Sequence, residues 1–291
     1  MADQEVKKRS RKGRKQNEKE IMKELAKDLN QTYSKSRSNS LVGHQMETTA
    51  KVQGLLSDTS LHQVREGLAR PRSTLQGEYI EAMKKPTKKI VFATGPAGTG
   101  KTMLACQQGL YQFLLGQYEK VVFTRPMIAV DEEMGFLPGT MEEKMAPWIR
   151  PMWDVLGQQL SQREIQALMD EKYIEIVPLG FMRGRTFLKT WIVADEMQNA
   201  TENQMKMLTT RLGTGSKMVI TGDLDQCDLP KKYAYNRAVP ANGLADLLER
   251  IRKTGEPPAT IDCYTFSSDD VQRETVVKDI LKIYAETDST T

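Results

Sequence analysis

Residues 95–102 read GPAGTGKT and place Gly95, Gly100, Lys101 and Thr102 at the spacing G-x-x-x-x-G-K-[ST]. That spacing suits the holding of a chain of phosphates. Gly95, Gly98 and Gly100 free the backbone so that N–H groups can converge on anionic oxygens, with Pro96, Ala97 and Thr99 completing the loop. Met103 opens the helix whose positive dipole end adds to the same field. Lys101 offers a charge to the β- and γ-phosphates, and Thr102 offers a hydroxyl to Mg2+. The apolar run IVFA at 90–93 precedes the loop, and MLACQQGLYQFLL follows it. This is the strand, loop and helix context that the motif requires.

A second apolar run, at 191–194, ends in Asp195-Glu196. In a sheet that carries a phosphate loop, such an Asp holds Mg2+, usually through water, and the following Glu orients or deprotonates an attacking water. Alone, the pair reads equally as charge at a helix N-terminus. A third run, at 218–221, continues as TGDLDQ. If this strand lies parallel to the others, it ends beside the same crevice. Gln226 can then hydrogen-bond a γ-phosphate or the attacking water, and its neutral amide does so without adding net charge. A surface turn is the alternative for Gln226. Asp223 is expected to support the metal shell or the loop itself.

Six apolar runs are expected as strands: 90–93, 121–124, 174–177, 191–194, 218–221 and 260–264. Runs so apolar suit strands buried on both faces, and their spacing leaves room for crossover helices. The expected fold is α/β, a doubly wound and mostly parallel sheet flanked by helices. Residues 72–286 are expected to form this domain and 287–291 a frayed tail. Residues 1–71 read as a basic, partly disordered extension with a short amphipathic helix at 18–30.

The chain has 291 residues, 39% of them hydrophobic and 7% aromatic, so the core should be aliphatic and rich in its 16 Met. Its net charge is +4, and the first 20 residues, with eight basic and four acidic side chains, account for all of it. A basic tail can hold nucleic-acid phosphates without reading sequence, or simply keep a terminus soluble. Cys106, Cys227 and Cys263 are too scattered for a disulfide framework or a metal cluster. His44 and His62 have no Cys or carboxylate at ligand spacing. There is no signal peptide and no apolar run long enough to span a bilayer, so a cytoplasmic protein without a membrane partner is expected.

These segments resemble the PhoH family of P-loop ATPases from about residue 76 to 284. The likeness rests on FATGPAGTGKT, FTRP, GFLPG, IEIVPLGFMRGRTF, DEMQNAT, QMKMLTTRLGTGSKMVITGD, QCDLP and DVQRETVV. The order of phosphate loop, TRP, D-E-x-Q and G-D-x-x-Q is more distantly similar to the first motor domain of superfamily 1 helicases. The resemblance implies a RecA-like sheet, binding and hydrolysis of ATP with Mg2+, a link to RNA or single-stranded nucleic acid, and a homo-oligomeric, often hexameric, ring. Two positions depart from the family pattern: Met197 stands where Ala is common, and Glu274 where His is common. No second motor domain is expected, so unwinding by a single chain is not.

The resemblance also nominates further residues. Gln76 stands 19 positions ahead of Gly95, where a helicase Gln reads the adenine edge, and Tyr79 could stack on the base. Each could equally be structural. Arg183, Arg185, Arg211 and Arg273 are candidates for the cation that meets charge developing on the γ-phosphate. Arg273 is preferred, with Arg183 and Arg185 shared between that role and nucleic acid. Arg125, in TRP, is expected to face single-stranded nucleic acid. Trp148 and Trp153, which bracket Arg150, suit packing better than base stacking. An ATP-gated assembly protein with slow hydrolysis is the main alternative to a motor. A small-molecule kinase fits less well, because the acidic pair and Gln226 suit attack by water.

Overall fold

A computed structural model describes residues 48–126, 150, 152–229 and 242–272. Within them a six-stranded, all-parallel sheet runs through β1 (Ile90–Thr94), β2 (Lys120–Thr124), β3 (Ile174–Ile176), β4 (Thr190–Ala194), β5 (Lys217–Gly222) and β6 (Ile261–Thr265). The spatial order is β3-β2-β4-β5-β1-β6. All six strands fall on the apolar runs expected from the sequence. The four inner strands are buried almost throughout, as crossover helices on both faces require. β6 is an edge strand and is correspondingly more exposed.

Because side chains alternate across a strand, each inner strand feeds two cores. Val91, Ala93, Val121, Phe123, Trp191, Val193 and Val219 face one layer, and Phe92, Val122, Ile192, Met218 and Ile220 face the other. The first layer is built by α1 (Asp58–Glu66), α2 (Thr74–Lys84), α3 (Lys101–Leu114) and α4 (Gln162–Asp170). The second is built by α5 (Glu202–Thr209) and α6 (Gly243–Lys253). Met205 and Leu208 bury one face of α5, as its Met-rich sequence suggests. α3 approaches the sheet closely at Gly109, where a Cβ would lie 2.4 Å from Trp191 Nε1.

Val52, Leu56 and Val64, ahead of the expected boundary at residue 71, are buried in the same cluster as residues of α3. The expected helix at 18–30, the basic tail, His44, Trp148, Glu274 and the final residues lie outside the described residues. Trp153 packs partly buried against the core, and His62 is exposed on α1. Among the described residues no helix is long and apolar enough to cross a membrane.

Two polar anchors fix helices to this frame. Lys217, 1% exposed in β5, donates to the carbonyls of Ala82, Met83 and Lys85 and so satisfies the C-terminus of α2. Glu164 joins the N-termini of α1 and α4. It accepts from Ser57 N (2.6 Å), Ser60 Oγ (2.7 Å), Ser161 N (2.8 Å) and Ser161 Oγ (2.6 Å). Burial pushes its pKa up, but these bonds outweigh burial and bring it from 4.5 down to about 2. Its contribution to stability is therefore present above about pH 4.5 and is lost as pH falls toward 2. Glu164→Gln should lower unfolding free energy at pH 7 by about 2 kcal/mol. The difference from wild type should shrink at pH 3, which urea denaturation at the two pH values measures.

Candidate functional site

The carboxyl ends of β1, β5 and β4 lie side by side, because β5 pairs with both of the others. The phosphate loop, Gly222-Asp223 and the acidic pair therefore meet in one cleft of about 280 Å3. Its lining includes Gly98, Lys101, Thr102, Asp195, Glu196 and Gln226. Val155, from the segment before α4, also borders it. A larger cavity of about 760 Å3 lies between α1 and α4. It offers less chemistry, since its carboxylate, Glu164, is already consumed by hydrogen bonds.

The loop's shape depends on its glycines. Gly95, Gly98 and Gly100 have φ of 129°, 87° and 82°, values that only glycine adopts without strain. A Cβ at Gly95 would also sit 2.2 Å from the Phe266 carbonyl oxygen. Lys101 Nζ donates to the carbonyls of Gly95 (2.6 Å) and Pro96 (2.8 Å), so its ammonium lies within the curve of the loop. Gln272 N–H donates to Gly98 O at 2.9 Å, bringing the chain after β6 onto the loop. Arg273 itself lies outside the described residues.

Asp195 is the hub of the cleft. Its Oδ1 accepts the hydroxyls of Thr102 and Thr221, each at 2.6 Å. Its Oδ2 accepts Arg125 Nε at 3.0 Å and Nη2 at 2.9 Å. Glu196 adopts φ 54° and ψ 36°, a strained left-handed conformation for a residue with a side chain. Its Oε1 takes Arg125 Nη2 at 3.2 Å and its Oε2 takes Gln198 Nε2 at 2.5 Å. Gln198 Oε1 in turn accepts Asp223 N–H at 3.1 Å. A Cβ at Gly222 would lie 2.9 Å from that same oxygen and 2.7 Å from Leu244 Cδ2. Asp223 supports its own loop, its carboxylate accepting Asp225 N–H at 3.2 Å.

The donor set fits a hard cation. Thr102 gives its one hydroxyl proton to Asp195, so what its oxygen can still offer is lone pairs. Among the described residues no group of three or more His, Cys, Asp or Glu side chains could hold a metal by itself. A cation here would depend on Thr102, Asp195 and the phosphates together.

Several nominated residues have other surroundings than expected. Gln76 is 4% exposed; its Oε1 accepts Arg72 N–H (2.7 Å) and its Nε2 donates to Thr99 O (2.9 Å). Both ends of its amide are thus engaged by backbone, and it braces the phosphate loop. Tyr79 cannot stack on a base as it stands. It is wholly buried, edge-on to Phe266, with its hydroxyl on Lys101 O, and burial raises its pKa well above the ordinary value. Arg211 bonds the carbonyls of Met207 and Arg185. Arg185 pairs with Glu175 at 2.7 Å and covers the Phe187 ring. It lines a cavity with Lys120 and Thr190, the first residues of β2 and β4, and so lies away from this cleft. Arg183 is exposed nearby. Met197 is fully buried against the second core, where its larger side chain has a use.

Thr221 and Gln198 were missed by sequence reading. Gln198 was visible as the last residue of D-E-x-Q, and Thr221 immediately precedes Gly222-Asp223.

A family model described as PhoH-like protein matches residues 69–285. A PhoH-like protein of Bacillus subtilis is 46% identical over 170 residues, covering 58% of this chain and 53% of that one. Protein PhoH of Escherichia coli K12 is 35% identical over 216 residues, covering 74% of this chain and 57% of that one. The chain thus spans little more than half the length of these curated relatives. Among solved structures, the large terminase of a thermophilic bacteriophage matches at 11% identity and TM-score 0.41, over 73% of this chain and 50% of that chain.

The two readings of Gln76 give different outcomes. As a brace, Gln76→Ala should weaken binding of ATP and of any GTP by the same factor, about tenfold for two lost buried hydrogen bonds, as read by fluorescent-nucleotide titration. Its melting temperature should also fall. A loss confined to ATP would restore the base-reading role.

Proposed function

The chain belongs to the PhoH-like family, and we propose that it is an Mg2+-dependent ATPase that works in a ring-forming assembly on RNA or single-stranded nucleic acid. The observation that carries the hydrolytic part is the Asp195 hub. One carboxylate oxygen holds the hydroxyl of the phosphate loop and that of β5 at 2.6 Å each, and Glu196 stands at its side. The ring and the polymer rest on the family resemblance, and Arg183 offers an exposed cation for the polymer.

In this reading the loop N–H groups and Lys101 hold the phosphates, and Lys101 moves from the Gly95 and Pro96 carbonyls to the phosphate oxygens. Thr102 and Asp195 would hold Mg2+, and such an ion would offset negative charge on the phosphates. Glu196 orients a water toward the γ-phosphorus and accepts its proton. The bond to the β,γ-bridging oxygen breaks, leaving ADP and phosphate. Gln226, on the cleft wall, contacts the γ-phosphate or that water. Arg273 follows the residue bonded to Gly98 and supplies the positive group, in its own subunit or a neighbour's.

A slower, ATP-gated assembly protein is the second reading. It is favoured by the ion pair from Arg125 to both carboxylates, which holds the acidic pair in place.

Steady-state hydrolysis with Mg2+, with and without single-stranded RNA or DNA, tests the proposal. Glu196→Gln should lose at least about a hundredfold in kcat while still binding ATP, the size of a lost general base. Lys101→Ala should lose nucleotide binding. Wild-type turnover that survives in both variants would sink the assignment, and turnover indifferent to either polymer would favour the assembly reading.

A further inference from the structure

Both carboxylate oxygens of Glu196 are engaged, one by Arg125 Nη2 and the other by Gln198 Nε2. A carboxylate so held has less to offer an attacking water, and one of the two donors must give way. Gln198 is 1% exposed and is fixed from behind, because Asp223 N–H holds its other amide atom. The Arg125 side chain is 23% exposed, and among the described residues its guanidinium bonds only the acidic pair. Asp195 does not depend on it either, since Thr102 and Thr221 retain Oδ1 when Oδ2 is released. Arg125 can therefore leave without dismantling the hub.

Its position decides what could draw it away. Arg125 stands just past the carboxyl end of β2 and does not line the cleft; it grips the acidic pair from the β2 side. A competitor can thus reach the guanidinium while a nucleotide stays bound. The planar N–H fork that spans two carboxylates here matches a phosphodiester equally well.

We propose that Arg125 is an inhibitory clamp on Glu196, opened when its guanidinium transfers to a backbone phosphate of single-stranded nucleic acid. This rests on the reading of the cleft as an ATPase site. It gives Arg125 both the nucleic-acid contact expected from the sequence and a reason to touch the acidic pair. The clamp couples polymer binding to hydrolysis without any change in the phosphate loop.

The test is Arg125→Gln in the full chain, assayed for ATP hydrolysis with and without poly(U) or oligo(dT). Fluorescent-ATP binding and a thermal melt are run alongside. The variant's kcat without polymer should rise about tenfold, a fraction of what a freed general base contributes, with KM within about twofold. Added polymer should then give no further increase, and Arg125→Lys should be intermediate because its single ammonium cannot bridge two carboxylates. The double variant with Glu196→Gln should be inactive, which shows that the gain runs through Glu196. A kcat below wild type in Arg125→Gln would overturn the clamp and make Arg125 a positioning residue. If that variant fails to fold, Arg125→Lys decides by the same comparison. Equal stimulation of variant and wild type by polymer would overturn the trigger, as would a wild type indifferent to polymer. Failure of the ATPase reading looks different: wild-type protein that binds ATP and never turns it over, with or without polymer.

Discussion

The Asp195 carboxylate is the interaction on which the site depends. It ends β4, and its contacts come from three other places: Thr102 at the start of α3, Thr221 in β5 and Arg125 beyond β2. A carboxylate can accept several hydrogen bonds at once, and charge-assisted ones are the strong kind. Four chain segments are thereby held together at one carboxylate. Asp195 and Thr221 are buried, so the bond between them meets little competition from water.

The phosphate loop is shaped from outside as much as by its own glycines. Gln76 of α2 braces it through Thr99, Tyr79 holds Lys101 O, and Gln272 and Phe266 approach it from the chain after β6. α2 is in turn anchored by Lys217 at the far end of β5. The strand that carries Thr221 into the site thus also steadies the helix behind the loop. Close approach is what makes Gly95 and Gly222 necessary: at both, a side chain would strike a neighbouring segment.

The two acidic side chains are held to different degrees. Asp195 is held on both oxygens and Glu196 is 44% exposed, within reach of solvent and of the cleft. The strained backbone at Glu196 is the kind of conformation that persists only when neighbours enforce it, and it places the second carboxylate beside the first.

By itself the sequence determined the strands, the phosphate loop, the acidic pair and the family, because each is written in local runs: apolar stretches, glycine spacing, a strand followed by charge. The interest of TGDLDQ was visible too, but its reason hung on a condition that sequence could not decide. That reason is strand order: β5 inserts between β1 and β4, and so Thr221 reaches Asp195 and Gln226 borders the cleft. An apolar run shows that a strand is buried on both faces and is silent about which strands flank it; that choice is made by pairing between residues far apart in the chain. The same holds for Gln76, Tyr79 and Arg125. Their types suited a base, a ring stack and a nucleic acid. Tertiary packing engaged the first two with backbone and put the third on the acidic pair, because burial demands that every polar group find a partner.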